Sequence, residues 1–314
     1  MLKDFNFETL ISNIPSQHIP PSLNLILEGG CMNGAYEIGG LLLIKMLEKQ
    51  KKTKIKKISG ASVGAYAGFL YLTNNLEQYI DDYEGMKLNF KKTLTLSTLK
   101  EQLTILVNNL TIKQFSSLQK NKLFITFYNI QTQQQEIISS YPSRKDLITS
   151  ILKSCHMPFL INGDCFYTEG NNKYIDGGIP YIFKTKTKTK TKTKNLYMYL
   201  TQINKLKTIL NVSYEKTIHG RILEGLLDTY NFFLKNKQSK MCSYVDDWSL
   251  INRLYYKVIQ NAYHILIYLI YLINTTFIFT KPLLVKFKKT HLFKHFSPIV
   301  KKIYEKIIIY LVFM

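Results

Sequence analysis

Cysteine is scarce in this sequence of 314 residues, and its arrangement suits neither a metal site nor a disulfide framework. The four cysteines, at positions 31, 155, 165 and 242, include no Cys-x-x-Cys pair, and no pair of histidines has zinc-ligand spacing. The first residues also lack the apolar core of a secretory signal peptide. We therefore expect free thiols in the reducing cytoplasm and a protein that holds no metal.

Acidic residues are scarce as well, since 21 aspartates and glutamates stand against 42 lysines and arginines, a formal net charge of +21. Such an excess favours an anionic partner, either nucleic acid or an anionic membrane. The sequence contains no helix-turn-helix, zinc-finger or aromatic RNA-binding signature, so we expect a membrane surface rather than nucleic acid. The hydrophobic content of 46% is enough for a packed core and excludes a disordered chain.

Short apolar strands and helices alternate along the first half of the chain, after a polar lead-in over residues 1–22. The pattern predicts strands at 23–27 and 55–59, each followed by a helix, at 35–49 and 63–73. Strands joined by helices in this way form a mainly parallel sheet with helices on both faces, an α/β fold. Active sites in such sheets lie at the carboxyl ends of strands. Further elements are predicted over 123–130, 136–140, 146–154, 174–176, 196–200 and 219–234.

A serine stands at one of these strand ends, in the pentapeptide Gly60-Ala61-Ser62-Val63-Gly64. This is the G-x-S-x-G pattern, in which a strained strand-to-helix turn holds the serine hydroxyl clear of the backbone. The flanking glycines, Gly60 and Gly64, let the turn close without side-chain clashes. The pattern therefore predicts Ser62 as a nucleophile.

Two further motifs accompany Ser62. Upstream, the run Glu28-Gly29-Gly30-Cys31-Met32-Asn33-Gly34 forms a glycine-rich strand-to-helix turn, whose backbone N–H groups would cradle an anion. Beside a serine nucleophile such a cradle is an oxyanion hole. Downstream, the run Asp176-Gly177-Gly178 places a carboxylate at the end of an apolar strand, where it would act as the base for the serine.

These three motifs, in this order, resemble the patatin-like phospholipase family over about Leu23 to Gln202. Supporting runs are 34–40 after the glycine loop and 154–159 before the Asp176 strand. The resemblance implies a lipid acyl hydrolase that cleaves phospholipid or related esters with a Ser62–Asp176 dyad and no cofactor. It also implies an oxyanion hole built from Gly29, Gly30, Cys31, Met32 and Gly34.

The glycine loop departs from the family pattern G-G-G-x-R/K-G at two positions. Cys31 replaces the third glycine and Asn33 replaces the basic residue. The lost charge leaves open a catalytically weak or dead module that binds lipid or a partner. If the missing charge limits catalysis, the substitution Asn33→Arg should raise turnover.

Two other interpretations of these motifs were weighed. A dinucleotide site needs glycine at position 31, which is cysteine, so we reject it. An α/β-hydrolase triad would need a histidine, for which His219 and His264 are the candidates. Against this triad, the serine turn already follows the second strand, and His264 lies inside an apolar run.

A run of alternating lysine and threonine occupies residues 184–194. Like charges along an extended segment repel one another, which favours a solvated loop. The alternative is a basic finger that rests on phosphate headgroups near the active site, since the run begins eight residues after Asp176.

The chain changes character after about residue 210, so we predict an acyl hydrolase domain over 23–210 and a basic, helical region over 211–314. Residues 262–279 are largely apolar and approach the length of a single membrane span, but Asn274-Thr275-Thr276 interrupts them. A lysine-rich tail follows. We therefore expect peripheral binding to an anionic membrane, and truncation after Leu250 to spare the hydrolysis of soluble esters. Nothing in the sequence indicates an oligomeric state.

Overall fold

The computed structural model describes residues 7–93, 95–119, 121–184, 193–201, 209 and 218–288. Most of the Lys-Thr run, residues 185–192, and the lysine-rich tail from residue 289 lie outside the described residues.

The strands are β1 Ser22–Leu27, β2 Ile55–Ala61, β3 Leu123–Asn129, β4 Gln134–Ile138, β5 Tyr167–Glu169, β6 Asn172–Asp176, β7 Thr193–Met198 and β8 Cys242–Tyr244. The α-helices are α1 Phe7–Ser12, α2 Gly34–Lys49, α3 Val63–Thr73, α4 Gln78–Thr93, α5 Thr98–Asn108, α6 Ile112–Leu118, α7 Arg144–Ser154, α8 His219–Lys235 and α9 Leu250–Lys288.

The eight strands form one mixed sheet in the order β5-β6-β3-β2-β1-β7-β8, with β4 paired to β3. Its centre is parallel, because β1 pairs with β2 and β7, and β2 pairs with β3, all in the same direction. The edges are antiparallel, through β5, β6 and β8. The predicted α/β fold with a mainly parallel sheet is therefore confirmed. The antiparallel strands β5 and β8 were not predicted, because three residues are too few to show a pattern.

The two faces of the sheet are covered differently. On the first face, Leu25 of β1 and Ile125 of β3 join one large core with α1 to α8. On the second face, Ile26 and Phe124 meet an aromatic cluster that includes Trp248. Because strand side chains alternate between faces, neighbouring residues of one strand enter different cores.

Helices α2 and α8 approach each other closely on the first face. A Cβ atom at Gly39 of α2 would overlap the carbonyl oxygen of Ile222, and one at Gly225 of α8 would overlap that of Tyr36. Strand β8, further along the chain, extends the sheet beside β7. The predicted domain boundary at residue 210 stays a prediction, and α8 and β8, which follow it, share the core and sheet of the residues before it.

Helix α9 lies on the second face with a narrow buried stripe. Tyr256 donates to the carbonyl oxygen of Pro180 at 3.3 Å, and Ile267 is 3% exposed. The remaining sides of the helix expose large apolar residues to solvent, among them Ile265, Leu266, Tyr268, Leu269, Leu272 and Ile273. Over Leu250–Thr276 this helix is long and apolar enough to cross a membrane, by length and composition alone. The predicted interruption does not break it, since Thr275 and Thr276 donate to carbonyl groups one turn earlier.

Candidate active site

Ser62 occupies the sharp turn between β2 and α3. Its backbone has φ 53° and ψ −129°, a conformation that side-chain-bearing residues rarely adopt. Both flanking glycines are required, because a Cβ at Gly64 would lie 2.5 Å from the carbonyl oxygen of Leu27 and one at Gly60 would overlap the carbonyl of Gly64. The chain is therefore strained at Ser62 itself, which is the geometry that the pentapeptide predicted.

Residues from two other elements hold this turn in place. The backbone N–H of Ser62 donates to the Ser154 hydroxyl at 2.9 Å, and that hydroxyl donates to the carbonyl oxygen of Thr126 at 2.6 Å. The Cys155 thiol donates to the carbonyl oxygen of Ser62 at 3.2 Å. The sequence indicated only that a small-residue run, 154–159, ends a helix. Nothing in it showed that Ser154 would support Ser62.

Asp176 ends β6 and stands beside Ser62. Burial raises the pKa of its carboxyl group to about 6, while the Ser62 hydroxyl and the Gly178 backbone N–H favour the charged form by hydrogen bonding. The Gly178 bond to Oδ1 measures 2.7 Å. Gly177 lets the turn pass against β3, since a Cβ there would overlap the Thr126 carbonyl. A carboxylate with this pKa is mostly ionised at neutral pH and can accept a proton from the serine.

The glycine loop between β1 and α2 lies against both groups. A Cβ at Gly29 would stand 3.0 Å from the Ser62 Cβ and 3.2 Å from the carbonyl oxygen of Gly178. The turn at Cys31 takes φ 47°, a conformation that favours glycine, so the side chain is accommodated at some backbone strain. The three motifs therefore meet at one edge of the sheet, although the first and the last are more than 140 residues apart along the chain.

The backbone N–H groups of the predicted oxyanion loop differ in their hydrogen bonding. Within the described residues, the backbone N–H groups of Gly29, Gly30 and Cys31 make no hydrogen bond. The N–H of Met32, by contrast, donates to the carbonyl oxygen of Ile209 at 3.1 Å, and that of Gly34 donates within the loop. The N–H groups of Met32 and Gly34 are therefore used within the fold of the described residues.

The Cys31 side chain does not offer a second nucleophile. Burial, with a smaller contribution from the nearby Asp176 carboxylate, raises the pKa of its thiol to about 12. A thiol with this pKa stays protonated near neutral pH, and the thiolate is the reactive form. Cys31 therefore acts through its backbone and its packing.

A small apolar cavity that is partly open to solvent lies beside Ser62. It is lined by Cys31, Met32, Val63, Tyr66, Tyr79, Tyr83, Met86, Leu96, Leu99, Cys155, Met157 and Ile161. Helices α3, α4 and α5 supply much of this lining. This lining is almost wholly apolar, so the cavity matches an apolar group beside the serine.

Asn33 is fully buried behind the loop. Its side-chain amide donates to the carbonyl oxygen of Leu200 at 2.9 Å, and its oxygen accepts from the guanidinium of Arg221, on α8, at 3.1 Å. An arginine at position 33 would therefore meet the guanidinium of Arg221. The expectation that Asn33→Arg raises turnover loses its physical basis.

The histidines proposed for a triad lie elsewhere. The ring of His264 is exposed on α9 and packs 5.6 Å, centroid to centroid, from Tyr128, while His219 begins α8. In the described part of the chain, no histidine side chain hydrogen-bonds Ser62 or Asp176. The side chain from α9 that does reach the Asp176 turn is Tyr263, which donates to the Asp176 carbonyl oxygen and covers Gly178.

Comparison with known proteins identifies the same motifs. The family model for the patatin-like phospholipases matches residues 25–181, half of the chain. Among solved structures, the crystal structure of VipD from Legionella pneumophila is similar at 14% identity and a TM-score of 0.39, over 69% of this chain and 67% of that chain. No curated protein sequence matches.

Proposed function

Because this chain belongs to the patatin-like phospholipase family, we propose that it hydrolyses carboxylic esters of phospholipids or related acyl lipids with a Ser62–Asp176 dyad. One observation carries the proposal. Ser62 is held at a strained strand-to-helix turn, beside a buried carboxylate, the glycine loop and an apolar cavity.

In the first step, the Ser62 oxygen attacks the ester carbonyl carbon and its proton passes to Asp176. The raised pKa of Asp176 brings its basicity closer to that of a useful general base than an ordinary aspartate. The protonated Asp176 then returns the proton to the departing alcohol, which leaves an acyl-serine. A water molecule, deprotonated by Asp176, releases the acid and restores Ser62.

The N–H groups of Gly29, Gly30 and Cys31 stabilise the negative charge that develops on the carbonyl oxygen. Removing one such donor typically costs about 3–4 kcal/mol of transition-state stabilisation. Replacing the family's third glycine by Cys31 keeps this donor, because the backbone takes the required conformation at φ 47°. The route uses no metal and no cofactor.

The substrate class follows from the lining of the cavity. Its walls are apolar and aromatic, so they favour an acyl chain rather than a polar leaving group. The hydroxyl of Tyr66, in this wall, donates to the Asp82 carboxylate at 2.9 Å. Tyr66 therefore presents its ring carbons to the cavity rather than a free polar group.

The apolar outer face of α9 supports membrane-surface binding. Several large apolar side chains lie together there, and single buried side chains of this size contribute about 1.5–3 kcal/mol on leaving water. Lysines flank the helix, and each contributes about 1 kcal/mol near an anionic surface. Because the inner stripe of α9 is packed on the sheet, we propose that the helix lies on the membrane rather than spans it.

Labelling with a serine-reactive fluorophosphonate tests the nucleophile. The adduct should appear at Ser62 by peptide mass, and the substitution Ser62→Ala should abolish both labelling and ester hydrolysis. The matched control is Ser59→Ala, in the β2 strand that precedes Ser62. The Ser59 hydroxyl is buried and has no hydrogen-bond partner among the described residues. Hydrolysis that survives Ser62→Ala, or that is lost with a chelator, contradicts the mechanism. A folded wild-type chain that takes no label would instead favour a lipid- or partner-binding module.

A further inference from the structure

The glycine loop contains no basic side chain, yet a cation is buried behind it. Arg221, near the start of α8, is 2% exposed, and its guanidinium donates to the Asn33 side-chain oxygen at 3.1 Å. The same group lies 5.5 Å from the ring centroid of Tyr36, at the first turn of α2. A guanidinium stays protonated in proteins, so this is a permanent positive charge inside the core.

Asn33 connects this charge to the loop. It is 0% exposed, its own N–H donates to the carbonyl oxygen of Gly30 at 2.9 Å, and its side-chain amide donates to Leu200. The guanidinium of Arg221 therefore fixes the side-chain oxygen of Asn33. Asn33 is in turn bonded to the turn that carries the N–H groups of Gly30 and Cys31. Burial dominates the raised pKa of the Cys31 thiol, and Arg221 acts in the opposite direction, so its field reaches the loop.

The position of Arg221 is rigid because α8 is locked to α2. Backbone meets backbone where Gly39 faces Ile222 and where Gly225 faces Tyr36. A charge held this way needs no rearrangement when an oxyanion forms, and low local polarity leaves its field poorly screened.

Resting on the proposed function, we propose that Arg221 is a positioning residue that supplies, through Asn33, the fixed positive charge of the oxyanion site. The charge comes from a helix 188 residues further along the chain than the loop residue it contacts. Arg221 touches neither the serine nor the substrate. It acts by orienting the loop and by stabilising charge that exists only in the transition state.

Three substitutions test this with a soluble short-chain ester. Arg221→Met should lower kcat about 10–30-fold and leave KM unchanged. This decrease is smaller than the one expected when a hydrogen-bond donor to the oxyanion is removed. Arg221→Lys, which keeps the charge, should restore most of kcat. Asn33→Asp changes one atom, and its carboxylate would pair with Arg221 and cancel the charge. The variant also loses the amide hydrogen bond to the Leu200 carbonyl, so its melting temperature should fall, and the kcat of the folded protein should fall to a similar extent as in Arg221→Met.

The matched control is Arg144→Met. Arg144 also donates to backbone carbonyl groups, at Asn108 and Leu110, and packs on the ring of Phe115, away from Ser62. It should lower thermal stability and leave the kcat of the folded enzyme unchanged.

The outcomes separate this inference from the proposed function. If the wild type is active and the folded Asn33→Asp and Arg221→Met variants keep full kcat, the role of Arg221 is overturned. The proposed function is then unaffected. If Arg221→Met does not fold, the kcat of the folded Asn33→Asp variant tests the role of Arg221 instead. Equal loss in Arg221→Lys and Arg221→Met also argues against a charge effect. A folded wild type with no hydrolysis and no label at Ser62 overturns the proposed function and this inference together.

Discussion

The two faces of the sheet differ in what their coverings leave exposed. On the first face, α2 and α8 touch through glycines, and large side chains such as Phe69 and Phe233 are fully buried. On the second face, α9 buries one stripe and leaves an apolar surface in contact with solvent. The first face builds the core, the cavity and the buried cation. The second face leaves large apolar side chains of α9 exposed.

The Asp176 turn lies between these two regions and touches both. Gly177 passes against the Thr126 carbonyl in β3, and Gly178 lies under the ring of Tyr263 from α9. The structure therefore argues against treating the C-terminal helix as a detachable anchor. Truncation after Leu250 would remove the hydroxyls of Tyr256 and Tyr263 from the segment that carries Asp176.

The packing of the first face predicts the largest effect. Gly39→Ala adds a methyl group where only backbone fits, against Ile222. We expect a loss of about 3 kcal/mol or more in the free energy of unfolding, measured by urea denaturation. Gly220→Ala, on the same helix pair but with open space around it, is the matched control and should stabilise α8 by up to about 1 kcal/mol. Equal tolerance of both substitutions would mean that α2 and α8 are not in backbone contact.

The exposed face of α9 predicts the next largest effect, on membrane binding alone. The triple substitution Ile265→Gln, Leu269→Gln and Leu272→Gln alters side chains that are 60%, 48% and 41% exposed. Because each side chain is about half exposed, each should contribute about 1 kcal/mol on leaving water, and binding to anionic vesicles should fall by about 100-fold or more. The melting temperature and the hydrolysis of a soluble ester should not change.

A matched control for this triple variant alters exposed apolar residues away from α9. Leu88→Gln and Ile112→Gln change side chains that are 56% and 82% exposed. They should leave vesicle binding intact. If they reduce it as much as the α9 variant does, general surface hydrophobicity rather than α9 binds the membrane.

The sequence motifs predicted the centre of the sheet, and the structure brings the predicted site residues together, for a physical reason. β1, α2, β2 and α3 are joined by short connections, and the turns at Gly30 and Ser62 need residue types that few other structures need. Local chemistry therefore determines local geometry there. The contact between Asn33 and Arg221 had no such signal, because it joins two side chains 188 residues apart that no motif contains.

The placement of α9 was harder to predict for another reason. Its sequence is apolar on every side, so no periodic pattern separates the stripe that packs on the sheet from the faces that do not. An apolar run of this length fits a membrane span, a surface helix and a core helix equally. The contacts of Tyr256, Tyr263 and Ile267 identify the stripe that packs on the sheet.

The pH dependence tests the Asp176 turn directly. The base must be ionised, and burial raises the pKa of Asp176 to about 6, so activity rises with pH through that value. We expect kcat/KM for a soluble ester to fall about tenfold per pH unit below pH 6 and to level off above it. A limb near pH 4, where an ordinary aspartate titrates, would show that Asp176 is not held in a buried environment in the free enzyme.

The smallest effect concerns the one hydrogen bond by which α9 reaches the Asp176 backbone. Tyr263→Phe removes the hydroxyl that donates to the Asp176 carbonyl oxygen and keeps the ring that covers Gly178. A single such bond contributes about 0.5–1.5 kcal/mol, so kcat should fall roughly 2–10-fold if the bond positions the carboxylate. KM for a soluble ester should stay the same, because the cavity lining is untouched. Tyr268→Phe, on the outer face at 57% exposure, is the matched control and should change neither parameter. An unchanged kcat in a folded Tyr263→Phe variant would mean that α9 covers the Asp176 turn without positioning it, and that the two faces of the sheet act independently.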